Sequence, residues 1–547
     1  MGLGVLEDRS GLHRVPGTVT LAEIEQSSGT TAIGRLKRGT GKDKDIILIP
    51  QPSNDPNDPL NWPQPKKITI VAIMVLGACL NAGAVGTMLN ASFVILSAEL
   101  NKSLSDTALL AGYTMVAAGA ACPLASAFAT KYGKRPVLLA SSAACLIGSI
   151  IGSVGQNYDT LLAARIIQGF GLAAYESLTF LVVADLFYIH QRGPWVNMIA
   201  FSYTSVSNLS SVIAGPITFN LGWRYLFHIL VALSGLQTLL VLFFCPETSY
   251  IRDPFFNRHL ATTGSGEVDD AKISAVVEEI ESLPANPSSP PPPNTFWQQM
   301  AIYTAVYSDE NLLKLIFGPF LCLTNLIALW TVVMTGVMTS TFVAMSYVAA
   351  QLFSPPPYSL SVAAVGYLST GPFLGGAIGF ALVAKLTDPL IIWMSKKNNG
   401  VYEPEFRLLL VAFAFAATAG LFAYGTVAES QGDIYLIAFI WGLTLVGISF
   451  VIGPCSSYAI DAFRDMSNEV LVANAMFKNF LFFGYSYFIN DWIADQGAAD
   501  PFYIFGGISA ALIISTVPVY MLGKRYRSVW YRYNIMEMFN VRPHAEV

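Results

Sequence analysis

Long apolar runs alternate with short polar connections over most of the chain. A helix needs about 20 mainly apolar residues to cross the hydrocarbon core of a bilayer. Six such runs occupy the first half, near 68–96, 107–129, 136–155, 160–187, 195–219 and 224–245. Six more lie near 314–347, 360–386, 407–427, 433–457, 468–490 and 500–522. The pattern predicts an all-α membrane protein with twelve transmembrane helices arranged as two six-helix bundles.

Polar segments frame and divide these runs, and they predict five regions. The regions are a disordered cytoplasmic N-terminal tail (1–65), an N-terminal six-helix bundle (66–247), a cytoplasmic linker (248–312), a C-terminal six-helix bundle (313–523) and a cytoplasmic C-terminal tail (524–547). The linker is rich in Glu and Asp and contains four prolines at 290–293, so it cannot bury much apolar area. The first apolar run starts too late for a cleavable signal peptide and is expected to act as an uncleaved anchor.

Composition agrees with lipid as the surrounding solvent. Hydrophobic residues make up 53% of the chain and charged residues only 12%, whereas soluble proteins carry roughly 25% charged residues. The net charge of −5, with basic residues in short clusters, predicts no nucleic-acid partner. No H-E-x-x-H, G-x-S-x-G or P-loop motif occurs, so neither a membrane enzyme nor an ATP-driven pump is predicted. The six cysteines show no C-x-x-C spacing, and no metal or other cofactor is predicted.

Lys and Arg residues set the predicted orientation, because basic residues concentrate in cytoplasmic loops. They fall in alternate connections, beginning with Lys131, Lys134 and Arg135 after the second run and Arg192 after the fourth. Both termini are therefore predicted to be cytoplasmic. Asn101 opens an Asn-Lys-Ser sequon that lands in the first outward loop, and it is a predicted glycosylation site.

The two sets of six runs resemble each other weakly. Gly112-Tyr113 opens the second run and Gly366-Tyr367 opens the eighth, at corresponding places in the two halves. Parallel repeats of six spans build one large class of secondary transporters, in which the substrate binds between the halves near the bilayer midplane. A transporter is therefore favoured over a channel or an enzyme.

Several short motifs carry a resemblance to the major facilitator superfamily over about residues 60–525. The loop after the second run reads Lys-Tyr-Gly-Lys-Arg-Pro from Lys131 and is similar to the family's G-x-x-x-D-[RK]-x-G-[RK]-[RK] signature. Ser126 and Thr130 stand at its glycine and acidic positions. The stretch from Arg165 to Gly169 looks like the second motif, R-x-x-Q-G, whose arginine is usually linked to proton coupling. The resemblance implies the major facilitator fold.

Two longer stretches resemble a fungal branch of that superfamily. One runs from Tyr175-Glu176-Ser177 to Asp185 and on to Arg192-Gly193, and the other is Glu-Pro-Glu-Phe-Arg-Leu at 403–408. The branch is grouped with the twelve-span drug:proton antiporters and includes cation and polyamine carriers as well as secondary-metabolite exporters. The resemblance implies a small-molecule substrate, protons as the coupling ion and the lipid bilayer as the immediate partner, with the carrier acting as a monomer.

Charges inside the apolar runs are candidate functional residues, because a charge at the bilayer centre costs about 2.5–3.5 kcal/mol even on mild scales. Glu176 and Arg165 share the fourth run, eleven residues or roughly 16 Å apart, and point to one helix face. A buried carboxyl holds its proton to higher pH, which suits Glu176 to proton or cation exchange. The structural alternatives are that Glu176 only pairs with a neighbouring helix and that Arg165 is a buried hydrogen-bonding strut.

Lys478 is the matching charge in the eleventh run. It is suited to attract an anionic substrate or to pair with an acid such as Glu176, and the sequence leaves both open. Charged residues at the predicted cytoplasmic helix ends are expected to gate the conformational change: Lys131, Lys134, Arg135, Asp185, Arg192, Asp388 and Asp461. Six aromatic residues of the C-terminal half are candidates for lining a pocket suited to flat or cationic ligands: Trp330, Tyr347, Phe373, Tyr458, Phe482 and Tyr485.

The functional hypothesis is a proton-coupled secondary active transporter that exports a small organic compound, such as a drug-like compound or a secondary metabolite. Proton-coupled uptake of cations or polyamines is an alternative, and a nutrient sensor with a carrier fold but no flux is an alternative of another class. Analogy favours the cell membrane over the vacuolar membrane as its location.

Overall fold

The computed structural model describes residues 2–7, 15, 17–20, 52–53, 55–251, 292–463 and 466–533. Most of the acidic linker, Arg464 and the end of the predicted C-terminal tail from 534 lie outside the described residues, as does most of the predicted N-terminal tail. The described part is overwhelmingly helical, as the apolar runs predict.

The N-terminal half consists of six long helices that follow the predicted runs. These are α1 Gln64–Leu100, α2 Leu104–Tyr132, α3 Lys134–Val154, α4 Tyr158–Leu186, α5 over 189–221 and α6 Arg224–Phe244. Two of them widen into π-helix, α1 over Ala78–Ala84 and α5 over Ser202–Val206. Such π segments are rare and occur often at functional sites.

The C-terminal half begins with a short helix and continues with six long ones. These are α7 Leu312–Cys322, α8 Leu326–Phe353, α9 Val362–Lys397, α10 Pro404–Glu429, α11 Ile434–Ala462, α12 Ser467–Gln496 and α13 Ala499–Arg532. The first turns of α10, over Pro404–Ala414, are 3₁₀-helical. A single-turn helix, Phe296–Gln299, precedes α7, and a 3₁₀ turn, Pro59–Asn61, precedes α1.

Ten helices in the described part are long and apolar enough to cross a membrane. Helices α5 and α12 are also long, and they lie where the fifth and eleventh spans are predicted. Ser, Thr and Asn residues in both, together with Lys478 in α12, lower their apolar content below that of the other ten. The chain is thus a multi-pass membrane protein, while the count of twelve spans stays a prediction.

The predicted boundaries of the seventh and eighth spans were wrong. The apolar run 314–347 is divided between α7 and α8, because the side chain of Asn325 accepts hydrogen bonds from the backbone N–H groups of Ile327 and Ala328, both at 3.0 Å, and so starts a new helix. Helix α9 continues to Lys397, so Asp388 lies on an exposed helix face instead of at a helix end.

Helices from the two halves meet along two seams. In one seam α2 packs against α12, and in the other α5 packs against α9. We call the end of the bundle that carries the basic loops the inner end and the opposite end the outer end. Along the first seam, Ser105 donates to Asp491 at 2.5 Å near the outer end, and Asn468 donates to Ser126 at 3.4 Å near the inner end.

The described part also contains one small sheet, which joins distant parts of the sequence. Strand β1, Val19–Thr20, pairs antiparallel with strand β2, Val401–Tyr402, and Val19 lies opposite Tyr402. Strand β2 lies in the loop between α9 and α10 at the inner end. Described residues of the predicted N-terminal tail therefore lie against the C-terminal half.

Candidate functional site

A carboxylate of the N-terminal half is held by two neighbouring residues of the C-terminal half. Glu176 of α4 forms an ion pair with Lys478 of α12 through its Oε1 atom. The side-chain amide of Asn479 donates to Oε2 at 2.6 Å. The side chains of Glu176 and Lys478 are only 8% and 20% exposed. Of the two roles left open for Lys478, the structure shows pairing with Glu176.

An aromatic side chain from a third helix borders this ion pair. The Lys478 ammonium lies 5.9 Å from the centre of the Tyr203 ring, within the range of a cation–π contact. Tyr203 lies in the π segment of α5, stacks on Phe180 at 6.0 Å between ring centroids, and donates its hydroxyl to the carbonyl of Tyr175. The site thus combines a carboxylate, an ammonium and an aromatic face, which suits exchange of a proton or of a cationic group.

Arg165 is completely buried further toward the outer end of α4. Its Nη1 donates to the carbonyl of Val85 at 2.7 Å and to the amide oxygen of Gln168 at 3.0 Å, and its guanidinium lies 5.6 Å from the centre of the Phe227 ring. Within the described part, its Nε and Nη2 atoms have no hydrogen-bond partner, nor does the nearby hydroxyl of Tyr347. Arg165 does not contact Glu176 and forms a separate site.

The basic loop between α2 and α3 is bound to the inner end of its own half. Lys134 forms an ion pair with Asp185, and Lys131 donates to the carbonyl of Glu310 at 2.8 Å. Arg135, which is 1% exposed, donates to five carbonyls at the end of α6 and in the following segment, those of Val241, Leu242, Cys245, Met300 and Ala301. Arginine's planar fork of donors explains how a single side chain binds so many acceptors.

Glu247 completes this arrangement. Its two carboxylate oxygens accept from the backbone N–H groups of Lys134 and Arg135, both at 3.0 Å. Burial, with a smaller contribution from Glu247, raises the pKa of Tyr307 to about 12, so this hydroxyl stays protonated. The hydrogen bonds from Lys131 to Glu310 and from Arg135 to Met300 and Ala301 thus hold the connection 300–310 against the inner end of the N-terminal half.

The other predicted gating residues occupy separate places. Arg192 donates to the carbonyls of Ala184 and Phe187 at 2.6 and 2.9 Å, at the end of α4. Asp461 accepts from Arg407 at 2.8 Å and from the Tyr402 hydroxyl at 2.6 Å. The named contacts of Lys134, Arg192 and Asp461 each stay within one half, and a gating role for these residues stays a prediction.

Sequence reasoning missed an ion cluster in the C-terminal half. Arg527 of α13 is fully buried and donates to both oxygens of Glu405, at 2.9 and 2.7 Å, and to Glu403 at 3.0 Å. Lys524 binds the other oxygen of Glu403 at 2.7 Å. Two acids flanking a proline, and two basic residues one helical turn apart, were the available signals. The roles of Asn479 and Tyr203 were also missed, because neither residue is charged.

No two of the six aromatic residues named as pocket candidates, all of them in the described part, form a ring–ring contact with each other. The Trp330 indole donates to Ser515 at 2.8 Å, Tyr485 packs against Phe505 with 5.1 Å between ring centroids, and the hydroxyl of Tyr458 lies beside Gly523 and the buried Glu405. Phe482 does lie between the halves, in a cluster with Met115 and Leu172. Asn101 is exposed at the end of α1 in a left-handed conformation, and its glycosylation stays a prediction.

Comparison with known proteins identifies the family. The Major Facilitator Superfamily profile matches residues 74–484. An uncharacterized MFS-type transporter of Schizosaccharomyces pombe is 24% identical, with 98% of this chain and 96% of that protein covered. Protein HOL1 of Saccharomyces cerevisiae is 23% identical over 96% of this chain and 97% of its own length. MFS-type transporter penM of Penicillium rubens is 25% identical over 87% of this chain and 89% of its own length.

Solved structures show the same fold. The partially occluded, inward-open xylose transporter XylE of E. coli superposes with a TM-score of 0.53 over 82% of this chain and 98% of its own, at 14% identity. At that identity, the likeness speaks for the fold alone. The family profile covers most of the chain, and two of these three fungal relatives are named MFS-type transporters. The chain therefore belongs to the Major Facilitator Superfamily and is a membrane transporter rather than an enzyme.

Proposed function

We propose that this chain is a proton-coupled secondary active transporter that exports a small organic compound across the cell membrane as a monomer. The observation that carries the proposal is the Glu176 carboxylate, which is buried between the halves and bound on both oxygens by Lys478 and Asn479. A buried carboxylate and ammonium neutralise each other, and the arrangement is costly to disturb by removing either charge. It therefore couples the charge on one side chain to the contact between two halves.

Protonation of Glu176 would change that contact directly. A neutral carboxylic acid no longer attracts the Lys478 ammonium, and one of its oxygens becomes a hydrogen-bond donor. The halves would then separate more readily at this level, and release of the proton would restore the ion pair. Rocking of the halves about a central site is the way in which transporters built from repeats alternate their access.

Arg165 is proposed to tune Glu176 through space. The two residues lie eleven positions apart on α4, a separation of roughly 16 Å along the helix. At an effective dielectric constant of about 20, two unit charges at that distance interact by only about 1 kcal/mol. Such a coupling would act at a distance, without a second ion pair.

A second candidate function, uptake of cations or polyamines, is favoured by one specific observation. The Tyr203 ring faces the ammonium of Lys478, and the Glu176 carboxylate binds it. A cationic substrate that displaced Lys478 would meet the same carboxylate and the same aromatic face. Export in turn is supported by the likeness of the motifs to the drug:proton antiporter group.

The decisive experiment measures proton movement with the purified carrier in liposomes that contain a pH-sensitive dye. A panel of neutral and cationic organic compounds is added under an imposed pH gradient, with Glu176→Gln compared with the wild-type protein. Glu99→Gln is the matched control, because Glu99 also pairs with a basic residue, Arg224, but at an exposed position. Compound-dependent proton flux should disappear in Glu176→Gln and persist in Glu99→Gln. Full flux in Glu176→Gln would refute the assignment of the proton site.

Direction is tested in cells with a labelled compound that drives proton flux in the liposomes. Loss of an exporter raises the amount of compound held in the cells, whereas loss of an importer lowers it. A lower amount of compound in cells that lack the protein would refute export. Localisation of the tagged protein in the same cells distinguishes the cell membrane from the vacuolar membrane.

A further inference from the structure

The described residues near the N-terminus form a strap on the inner face of the C-terminal half. We use the name N-terminal strap for residues 2–7, 15 and 17–20. Strand β1 of the strap covers strand β2, and Thr20 lies opposite Val401. An uncovered strand edge presents unpaired backbone groups, so covering it with a segment of the same chain gives the contact a defined register. The strap is attached by sequence to one half and by contact to the other.

The first part of the strap binds the inner end of α13. Val5 is only 4% exposed and packs with Met394 of α9 and Phe406 of α10. Backbone groups of the strap are hydrogen-bonded to α13, as Leu6 N–H to the carbonyl of Met521 at 2.9 Å, the Tyr520 hydroxyl to the carbonyl of Leu3 at 2.8 Å and Arg525 Nε to the carbonyl of Glu7 at 3.2 Å. Apolar burial and directed hydrogen bonds thus act together.

The second part of the strap reaches the buried ion cluster. The hydroxyl of Thr18 donates to Glu403 Oε2 at 2.6 Å and lies 3.4 Å from Nη1 of Arg527. Glu403 is itself bound by Lys524 and Arg527. Thr18 is therefore an additional hydrogen-bond donor to an acid that also holds the loop before α10 against α13.

Close approach at Gly17 shows how tightly the strap fits. Gly17 has φ of +83°, and a Cβ atom added there would lie 2.6 Å from the main-chain oxygen of Asp461 and 3.0 Å from the Pro404 side chain. Neither the conformation nor the space accepts a larger residue. The strap therefore touches the inner ends of α9, α10, α11 and α13 in a single docked arrangement.

We propose that the N-terminal strap is a regulatory latch. When docked, it links the N-terminal half, to which it is joined by sequence, to the inner ends of four helices of the C-terminal half and slows opening of the inner end; when released, it allows faster opening. Rocking moves one half relative to the other, so a segment joined to one half and bound to the inner face of the other must be displaced or carried along. The inference adds regulation to the proposed transport cycle and does not depend on which compound or ion is carried.

Charge at position 18 is the proposed release signal. The ion cluster around the strap is balanced, with three acids, Glu403, Glu405 and Asp461, against three bases, Arg407, Lys524 and Arg527. A negative group at position 18 would lie beside the Glu403 carboxylate, to which it could not donate a hydrogen bond, and would compete with Glu403 for Arg527, whose Nη1 lies 3.4 Å from the Thr18 hydroxyl. Repulsion between like charges at hydrogen-bond distance is strong in a partly buried site. An uncharged side chain of the same size avoids that repulsion.

Docking is measured first, by the rate at which a disulfide forms in the double variant Thr20→Cys/Val401→Cys, whose residues are opposite each other in the sheet. Each single cysteine variant is the control. Adding Thr18→Glu should lower the rate by at least about fivefold, the low end of typical coupling between sites, while its neutral match Thr18→Gln leaves the rate nearly unchanged. Gly17→Ala should also lower the rate, by excluding the docked arrangement. Equal rates in Thr18→Glu and Thr18→Gln would overturn the charge switch.

Opening of the inner end is measured second, without any substrate. Ser126 is buried between α2 and α12 near the inner end, so the labelling rate of Ser126→Cys by a membrane-impermeant maleimide in inside-out vesicles reports opening. Thr18→Glu should raise this rate by about fivefold or more, and the oxidised Thr20–Val401 cysteine pair should lower it until a reductant is added. The latch is refuted if undocking leaves the labelling rate unchanged or reduces it. Because no flux is measured, that result would leave the proton site at Glu176 untouched.

Discussion

Lys478 of the C-terminal half forms an ion pair with Glu176 of the N-terminal half. The next residue, Asn479, binds the second oxygen of the same carboxylate. Because both donors belong to α12 and the acceptor to α4, the contact breaks whenever the halves separate at this level. The ion pair therefore reports on the conformation of the whole carrier.

Removing the lysine alone is expected to destabilise the carrier. In Lys478→Met the Glu176 carboxylate would remain buried without its cation, and breaking a buried pair from one side typically costs about 3–5 kcal/mol. The partial exposure of Lys478 places the cost toward the lower end. In the double variant Glu176→Gln/Lys478→Met both charges are gone, and most of the stability should return. Thermal unfolding of the detergent-solubilised proteins gives the coupling between the two sites. Simple additivity of the two single changes would contradict a direct pair.

Arg135 is expected to tolerate less change than its neighbour Lys134. Lysine has three donors on one nitrogen and cannot reach the five carbonyls that Arg135 binds, so Arg135→Lys leaves several acceptors at the end of α6 unsatisfied. Each unsatisfied buried group costs about 1–3 kcal/mol. The control Lys134→Arg keeps a cation beside Asp185. The melting temperature of Arg135→Lys should fall well below that of Lys134→Arg, and equal melting temperatures would disprove the carbonyl-binding role.

Close packing at the outer end is expected to set the balance between conformers. A Cβ atom on Gly366 of α9 would lie 2.6 Å from the main-chain oxygen of Ser211 and 3.0 Å from the Cα atom of Gly215, both on α5. Gly366→Ala should therefore push α5 and α9 apart at the outer end, at a cost of about 1–3 kcal/mol to the closed arrangement. The buried Leu89 near this end, changed to cysteine, should then react faster with an impermeant maleimide from outside.

The matched control for this prediction is Gly484→Ala on α12, where an added Cβ atom meets nothing within 4 Å. Its labelling rate at Leu89→Cys should equal that of the parent protein. A rate that is unchanged in Gly366→Ala, or raised equally in Gly484→Ala, would show that the α5–α9 contact does not control outer opening.

The sequon at Asn101 is expected to carry an N-glycan. Asn101 is exposed at the end of α1, on the end of the bundle opposite the basic loops. Treatment with an endoglycosidase should increase the electrophoretic mobility of the wild-type protein and leave Asn101→Gln unchanged. Modification would also place this loop outside the cytoplasm. If the treated and untreated wild-type proteins have the same mobility, Asn101 carries no N-glycan.

Sequence patterns were sufficient for the helices, because lipid imposes a local rule. Every backbone polar group in the hydrocarbon must be satisfied within the membrane-spanning element, so apolar length alone locates most helices. The division of the seventh run between α7 and α8 depends on a different local effect, the capping of α8 by Asn325. Local motifs also indicated the family, which the comparisons confirm.

The contacts that matter for function come from the tertiary structure. Glu176 and Lys478 are about 300 residues apart, and no local rule says which buried charges will meet when two bundles pack. The same holds for the pairing of Val19 with Tyr402 across the chain. Apolar periodicity specifies which residues avoid water, whereas the partner of each buried charge depends on the packing of whole helices. The sequence by itself thus determined that this chain crosses a membrane repeatedly as a carrier with a few buried ions, and only the folded bundle decided which of those ions are paired.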